Sequence, residues 1–445
     1  MSAEAETKAG QEALEFWLNN HADLAAAIIV LTGFLARLWA ASGTFLNPDE
    51  ALHFGIANQA SLAAVYRASL TESHPPLLYW VLHFMRGLGT SEIWLRLPSV
   101  VAGTAFCWLF FRWLTQVTSR AAGFVGLILV AFLPPVVRLS AEVRQYALLL
   151  AFLAGAVYFL ERALSENSSW LMLSSAACIY LAMLSHYSAL FFIAGMGLYA
   201  VLKIFWPARA PSRSVVAVWV AGQLGALALL AFFYKTHLSH LGLGESRTVL
   251  QGWMSEFYLR RSYFEAGRDN PLLFVLGHSF GVFQFVFGQL AVGDIAGLLF
   301  VAGLSLLWRA PAETRNASRQ LAFFLALLFA LACGASLAHV YPYGGARHTA
   351  YLIIPAAAGV SFATARIATE RWMRSLALAL VLVVIAAVFG KQHQPYMTRA
   401  DQSRERMTEA MASLRKNAAP RPRGQPVPLH EHQVRKKKNG SQTAG

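Results

Sequence analysis

Long apolar runs, separated by short polar connections, make up most of the chain. A run of about 18 to 20 apolar residues is enough to cross about 30 Å of hydrocarbon as an α-helix. A membrane β-barrel would show shorter segments of alternating polarity instead. The pattern therefore predicts an all-α polytopic membrane protein with apolar runs at 24–43, 93–112, 121–137, 143–160, 170–185, 187–205, 214–234, 272–308, 320–340, 347–366 and 375–390.

The basic residues give these helices an orientation. By the positive-inside rule, short loops rich in arginine and lysine face the cytoplasm. This requires a single net crossing by 272–308, so we expect 272–290 to lie in the interface or re-enter and 294–308 to span. The prediction is roughly eleven transmembrane helices with the N-terminus inside and the C-terminus outside. The basic loops that set this orientation are 112–120, 203–213, 309–319 and 366–374.

Composition divides the chain into three parts. Residues 1–23 are polar and lack the features of a signal peptide, so we expect a cytoplasmic segment followed by a retained first helix. Residues 24–390 form the predicted transmembrane catalytic domain. Residues 391–445 are basic and poor in apolar residues, which is typical of a largely disordered tail.

Charge and cysteine content narrow the class further. Only 13% of residues are charged, against about 25% in soluble domains. The net charge of +14 lies in short loops and the tail without a basic-aromatic stripe, which favours a membrane surface over nucleic acid. Cys107, Cys178 and Cys333 all fall in apolar runs, so we expect buried thiols and neither a disulfide nor a metal site.

The predicted topology gathers most of the polar side chains of interest at the extracytoplasmic surface. They come from segments that are far apart in sequence, and such a convergence indicates an active site. The candidates are Asp49, Glu50, His74, Glu142, Arg144, His186, Arg260, Arg261, Arg347 and His348.

Each candidate could also have a purely structural role. In "LNPDEALHFG", Asn47 suits a helix N-cap, Pro48 the first position and Glu50 a capping box, and 49–70 suits an amphipathic helix on the membrane surface. A lone histidine such as His74 is often a satisfied polar group. Arg138 and Glu142 have the spacing of an i,i+4 pair, and Arg347 and His348 suit membrane anchoring.

Six stretches in the same order resemble a known family. The chain is similar to the GT-C glycosyltransferases over about residues 24–370, specifically to the family 39 branch of protein O-mannosyltransferases and the lipid A aminoarabinose transferase. The resemblance implies a polyprenyl-phosphate-sugar donor and transfer on the extracytoplasmic face. The stretches are "LNPDEALH", "SHPPLLYWVLH", "WLRLPSVVAGTAF", "SAEVRQYALLL", "LSHYSALFF" and "RHTAYLIIP".

The resemblance also implies roles for individual residues. Asp49 matches the catalytic carboxylate, His74 the residue before the Pro-Pro pair, and Glu142 the second outer-loop acid. Some relatives have an acid before the position of His74, where this chain has Ser73, and this departure weakens a metal site built on that acid. Arg347 is then the clamp for the donor phosphate.

The remaining candidates are assigned around this centre. Arg144 and His348 are expected at the phosphate, and the 235–271 loop is expected to add Arg260 or Arg261. Tyr146 shares a helix face with Glu142. His186 completes the polar rim.

These observations predict an inverting glycosyltransferase in which Asp49 is the base for the acceptor hydroxyl. A base contributes about 10²–10⁴-fold, and arginines stabilise the departing phosphate. The acceptor stays open among lipid, polysaccharide and protein, as does a divalent metal, with Glu142 and Asp49 as one pair of ligands. A bacterial inner membrane is the expected location.

Two other classes compete with this hypothesis. A transporter or flippase for a lipid-linked glycan would place ionisable residues along a mid-membrane pathway rather than at one rim. A non-catalytic scaffold is disfavoured by the presence of Asp49.

Overall fold

The computed structural model describes residues 20–70, 72–206, 210–240, 259 and 261–389, with a few positions nearer the termini. Most of the predicted segments 1–23 and 391–445 lie outside this part. In chain order the helices are α1 (Ala22–Ser42), α2 (Pro48–Ala57), α3 (Leu62–Ser69), α4 (Leu77–Met85), α5 (Glu92–Val117), α6 (Arg120–Phe132), α7 (Pro134–Ser140), α8 (Tyr146–Glu166), α9 (Ser169–Ser185), α10 (Ala189–Phe205), α11 (Arg213–Thr236), α12 (Pro271–Phe287), α13 (Leu290–Trp308), α14 (Arg315–Leu337), α15 (Ile353–Ile367) and α16 (Trp372–Phe389). Short 3₁₀ turns cover Leu238–His240 and Arg347–Leu352.

The all-α, multi-pass membrane prediction is confirmed. Among the described residues, eight helices are long and apolar enough to cross a membrane, or nine if the bent pair α6 and α7 forms one span. Three further apolar helices, α9, α10 and α12, have 17 residues each. The total of eleven crossings stays a prediction.

Packing centres on α8 and α15, whose residues are mostly buried. α8 packs against α5 and α9, and α15 against α6 and α13. Several peripheral helices expose large apolar side chains, among them Trp39 on α1 and Leu298 on α13, which is the pattern of lipid-facing surfaces.

A buried arginine holds the break between α6 and α7. These helices are bent by 63°, and α7 begins with Pro134 and Pro135. Because proline lacks an N–H, the carbonyls of Val130 and Ala131, one turn earlier, lose their usual donors. The buried Arg37 of α1 donates to these carbonyls at 2.7 and 2.9 Å. The guanidinium therefore satisfies the carbonyls that the proline pair leaves free.

We expect Arg37→Leu to reduce thermal stability strongly, at about 1–3 kcal/mol for each buried carbonyl that loses a donor. The Ala131 carbonyl would lose the guanidinium, and the Val130 carbonyl would keep only the weak contact from the Cys107 thiol at 3.6 Å. Size-exclusion chromatography after a heating series measures the effect. Arg162→Leu is the matched control, since the pair of Arg162 with Glu166 is an exposed i,i+4 pair, worth about 0.3–0.5 kcal/mol. A melting curve for Arg37→Leu that coincides with wild type would contradict this role.

The long apolar run 272–308 forms a helical hairpin. Gly288, with φ of 70°, ends α12 in the left-handed region that glycine favours. α12 then lies antiparallel to α13, because Gly293 packs on Gln284 and Gly297 packs on Phe280. That α12 lies in the interface or re-enters the membrane remains a prediction.

The predicted surface helix 49–70 is two helices, α2 and α3. α2 ends at Ala57, and Ser61 begins the next helix by accepting a hydrogen bond from the backbone N–H of Ala64 at 3.3 Å. Serine favours this capping position over a helix interior, which explains the break. The break lets α2 and α3 pack separately against α4.

Candidate active site

Local sequence fixes the start of α2 and hence the direction of Asp49. The predicted capping box is present: the side chain of Asn47 accepts from the backbone N–H of Glu50 at 2.9 Å, and the carboxylate of Glu50 accepts from the backbone N–H of Asn47 at 2.8 Å. Asp49 is on the same first turn, but its side chain is 40% exposed whereas that of Glu50 is 1% exposed. Adjacent acids therefore have different surroundings.

Glu50 is enclosed by hydrogen bonds. Its carboxylate accepts from Nε and Nη2 of Arg96 and from the backbone N–H of Val143, each at 2.8 Å. With the bond from Asn47, all the lone-pair directions of the carboxylate are occupied. This geometry favours a positioning role for Glu50 over the catalytic role expected from the sequence.

Arg96 extends this ion pair into the first loop. Its guanidinium also donates to the carbonyls of Ala41, Thr44 and Phe45 at 2.7 to 2.8 Å. The Glu50–Arg96 pair thus ties the end of α1, the start of α2 and the 141–145 turn into one unit.

Asp49 lies between two arginines from distant parts of the chain. Its Oδ2 accepts from Nη2 of Arg144 and, at 3.1 Å, from Nη2 of Arg347. The side chain of Arg144 is 5% exposed and that of Arg347 is 26% exposed. Within the described part of the chain neither cation contacts Oδ1 of Asp49. The result is an anion held by two cations, with one carboxylate oxygen available.

A histidine that the sequence prediction did not include completes this centre. His53 follows Asp49 by one helical turn, is 2% exposed, and places Nε2 3.2 Å from Nη1 of Arg144. Burial and the neighbouring Arg347 lower the pKa of His53 to about 4, against an opposing effect of Glu50. The imidazole is therefore neutral at physiological pH.

His74 and His186 form a neutral wall beside His53. The ring centroids of His53 and His74 are 5.8 Å apart, and those of His74 and His186 are 5.3 Å apart. Burial, together with the other histidines, holds the pKa of His74 well below its usual range. Burial, His348 and Arg144 lower the pKa of His186 to about 3.

Hydrogen bonds set the proton position on His186. Its Nδ1 accepts from the backbone N–H of Ser188 at 3.1 Å, which leaves the proton on Nε2. The ring of Tyr146 lies 5.3 Å from that of His186 between centroids. Tyr146 is buried and packs against His186.

The 3₁₀ turn before α15 supplies Arg347 and His348. The close approach of Gly345 to Gly281 places this segment against α12, because a Cβ on Gly345 would lie 2.2 Å from the Gly281 carbonyl oxygen. Tyr341 donates to the carbonyl of His348 at 3.2 Å. Local packing therefore sets the direction from which Arg347 reaches Asp49.

Glu142 faces a different cavity. This cavity has a volume of about 340 Å³, and its lining includes Glu142, Arg138, Glu50 and Arg96 but not Asp49. Burial and the charge of Glu50 raise the pKa of Glu142 to about 7, opposed by the nearby arginines. Glu142 thus lines a cavity without Asp49 but is close enough to Arg347 for their charges to interact.

The structure does not bring Arg261 to the centre. The residue is exposed, and His278 contacts its backbone carbonyl. Arg260 lies outside the described residues. No group of three or more His, Cys, Asp or Glu side chains in the described ranges is arranged to hold a metal ion.

Part of the chain matches a known protein family in sequence. Residues 73–234 match the family model described as dolichyl-phosphate-mannose-protein mannosyltransferase. This region contains His74, Glu142, Arg144, Tyr146 and His186. A search of curated proteins finds no match.

Solved structures share the fold. ArnT from Cupriavidus metallidurans bound to undecaprenyl phosphate has a TM-score of 0.51 at 12% identity, with 84% of this chain and 67% of ArnT covered. The Archaeoglobus fulgidus oligosaccharyltransferase tethered to an acceptor peptide has a TM-score of 0.52 at 11% identity, with 90% of this chain covered. The chain spans 58% of the length of that oligosaccharyltransferase.

The chain therefore has the fold of these two solved structures, and residues 73–234 match the mannosyltransferase family model. The resemblance seen in the sequence is confirmed at the level of the fold. The site joins Arg144, which lies in the region matched by the family model, to Asp49 and Arg347, which lie outside it.

Proposed function

We propose that this protein is an inverting GT-C glycosyltransferase that uses a polyprenyl-phosphate sugar. One observation carries the proposal: the carboxylate of Asp49, at the end of the bundle where the polar connections meet, lies between Arg144 and Arg347. A carboxylate serves as a base for a hydroxyl, and arginines bind phosphate through their forked donors. Both requirements of glycosyl transfer from a lipid phosphate are present in one place.

The reaction follows from these two roles. The acceptor hydroxyl loses its proton to Asp49 as its oxygen forms a bond to the anomeric carbon. The bond between that carbon and the phosphate oxygen breaks on the opposite face, and its electron pair leaves with the lipid phosphate. Arg144 and Arg347 stabilise the charge on that phosphate. Attack from the far side inverts the anomeric centre.

The neutral histidines suit a sugar-binding wall. His74 and His186 bring imidazole groups to the site without adding charge, so the arginines remain the cations that bind the phosphate. We assign His348 to the same wall beside Arg347. Glu142, in its own cavity, is proposed as an acceptor contact rather than a base.

The location of the site in a bundle of membrane helices suits a lipid-linked donor. A lipid donor reaches a site at the end of a helical bundle through the bilayer, which accounts for a sugar transferase built from apolar helices. Basic loops at the other end of the bundle support a position of Asp49 on the extracytoplasmic side. We therefore propose a bacterial inner membrane location and an acceptor that is a lipid, polysaccharide or protein.

Arg347→Gln is expected to lower transfer by about 10²-fold, because one donor to the departing phosphate is lost. Arg347→Lys should lie between this variant and wild type, since lysine keeps the charge but not the fork. Initial rates of transfer in membranes measure the effect. Arg366→Gln, an exposed arginine paired with Glu370, is the matched control. Wild-type rates for Arg347→Gln would contradict the phosphate role.

Mass spectrometry of surface glycans and lipids tests the function as a whole. Cells with the gene, without it, and with Asp49→Asn are compared after matched expression. We expect one glycan or lipid to gain a single sugar only with the wild-type protein, which also identifies the sugar and the acceptor. Full product with Asp49→Asn would refute the proposed chemistry and favour a transporter or flippase.

A further inference from the structure

The two terminal nitrogens of Arg144 contact two residues that are one turn apart on α2. Its Nη2 contacts Oδ2 of Asp49, and its Nη1 lies 3.2 Å from Nε2 of His53. The i,i+4 spacing places both partners on the same face of α2. The backbone carbonyl of Arg144 is fixed separately, because it accepts from the hydroxyl of Ser99 at 3.1 Å.

The contact between His53 and Arg144 determines where the proton is on the imidazole. A guanidinium is always charged and has only donors. Nε2 of His53 must therefore accept, which requires a neutral ring with its proton on Nδ1. Nδ1 is buried and has no hydrogen-bond partner in the described part of the structure.

The surroundings keep the ring of His53 in this orientation. Its centroid lies 5.5 Å from that of Tyr79 and 5.8 Å from that of His74. The capping box between Asn47 and Glu50 fixes the helix that carries it. His53 is thus an oriented acceptor for the Arg144 guanidinium.

We propose that His53 is the positioning residue that holds the Arg144 guanidinium for the donor phosphate. This inference deepens the proposed function and rests on it. With Nη1 fixed by His53, the neighbouring Nη2 is directed at the carboxylate in the resting state and at the phosphate oxygens when the donor binds. A carboxylate in place of His53 would neutralise the cation, whereas a neutral imidazole orients it and leaves its charge for the phosphate.

The test measures binding of undecaprenyl phosphate to the purified full chain by native mass spectrometry. Leucine removes the acceptor at similar volume, and glutamine retains an acceptor at the distance of Nε2. We expect His53→Leu to bind about tenfold more weakly and His53→Gln to bind within about threefold of wild type. His83→Leu is the matched control, because the ring of His83 on α4 contacts the carbonyl of Ala57, at 3.1 Å, rather than Arg144.

A double-mutant cycle separates positioning from general damage to the fold. Lysine at position 144 has a single terminal nitrogen in place of Nη1 and Nη2, so a contact with His53 no longer directs a second donor at the phosphate. His53→Leu should therefore change affinity by less than about twofold in an Arg144→Lys background. Equal losses in both backgrounds, or no rescue by His53→Gln, would overturn the inference. If wild type itself fails to bind the lipid, the proposed function fails. If Arg144→Lys weakens binding but His53→Leu does not, only the inference fails.

Discussion

Asp49→Asn is expected to reduce glycosyl transfer by about 10²–10⁴-fold, the usual contribution of a general base. The amide keeps the shape of the carboxylate but does not accept the acceptor proton at neutral pH. Because Asp49 is 40% exposed and is not part of the buried Glu50–Arg96 pair, thermal stability should change little. The measurement is the initial rate of transfer at saturating donor, together with a melting curve.

Asp23→Asn is the matched control for this substitution. Asp23 is exposed and pairs with Arg112 at 3.1 Å, away from the Asp49 centre. We expect wild-type rates from it. A rate for Asp49→Asn within threefold of the control would remove the base from the mechanism.

Glu50→Gln is expected to have the opposite phenotype, a loss of folded protein. The change leaves the Arg96 guanidinium buried without its counter-charge, and breaking one side of such a pair costs about 3–5 kcal/mol. The side chains of Glu50 and Arg96 are 1% and 2% exposed, so water does not replace the lost partner. Folded yield and the midpoint of thermal unfolding measure the effect.

Two further variants sharpen this prediction. Glu166→Gln removes an exposed carboxylate from an i,i+4 pair and should leave the melting curve unchanged. Glu50→Leu combined with Arg96→Leu should recover part of the lost stability, since no charge is then stranded. We expect incomplete recovery because Arg96 also donates hydrogen bonds to the carbonyls of Ala41, Thr44 and Phe45. A fully stable Glu50→Gln protein would contradict the structural role.

Hydropathy was sufficient to predict the fold class, since burying backbone polar groups in lipid leaves few alternatives to helices. It also located the helical runs, because each crossing needs a minimum apolar length. Helix breaks inside polar segments were harder to predict. The capping signal at Ser61 is visible in the sequence, yet 49–70 has enough amphipathic character to look continuous.

Topology alone predicted that Asp49, Arg144 and Arg347 would share one end of the bundle, and the structure places them in contact. His53 was missed although the signal was available, since it follows Asp49 by four residues on a predicted helix. Glu142 was expected at the same centre. Its carboxyl lines a cavity that does not include Asp49 but lies close enough to Arg347 for their charges to interact, while Arg144, two residues on, contacts Asp49.

The buried arginines had no decisive sequence signal. Arg37 and Arg96 each interrupt an apolar run, which marks them as unusual but does not identify their partners. Arg37 donates hydrogen bonds to carbonyls about a hundred residues away that lack a backbone donor because of the proline pair. Arg96 forms an ion pair with Glu50 and donates to carbonyls of the first loop. Such pairings depend on which helices are neighbours, and the runs themselves do not determine this.

Binding of undecaprenyl phosphate tests the central claim most directly, because every donor of the proposed class shares the polyprenyl phosphate and the sugar need not be known. Affinities are measured by native mass spectrometry for wild type, Asp49→Asn and Arg144→Gln combined with Arg347→Gln. The account predicts binding by wild type, equal or tighter binding by Asp49→Asn because the two arginines lose their competing anion, and at least about tenfold weaker binding by the double arginine variant. Undiminished binding by the double variant, or none by wild type, would contradict it.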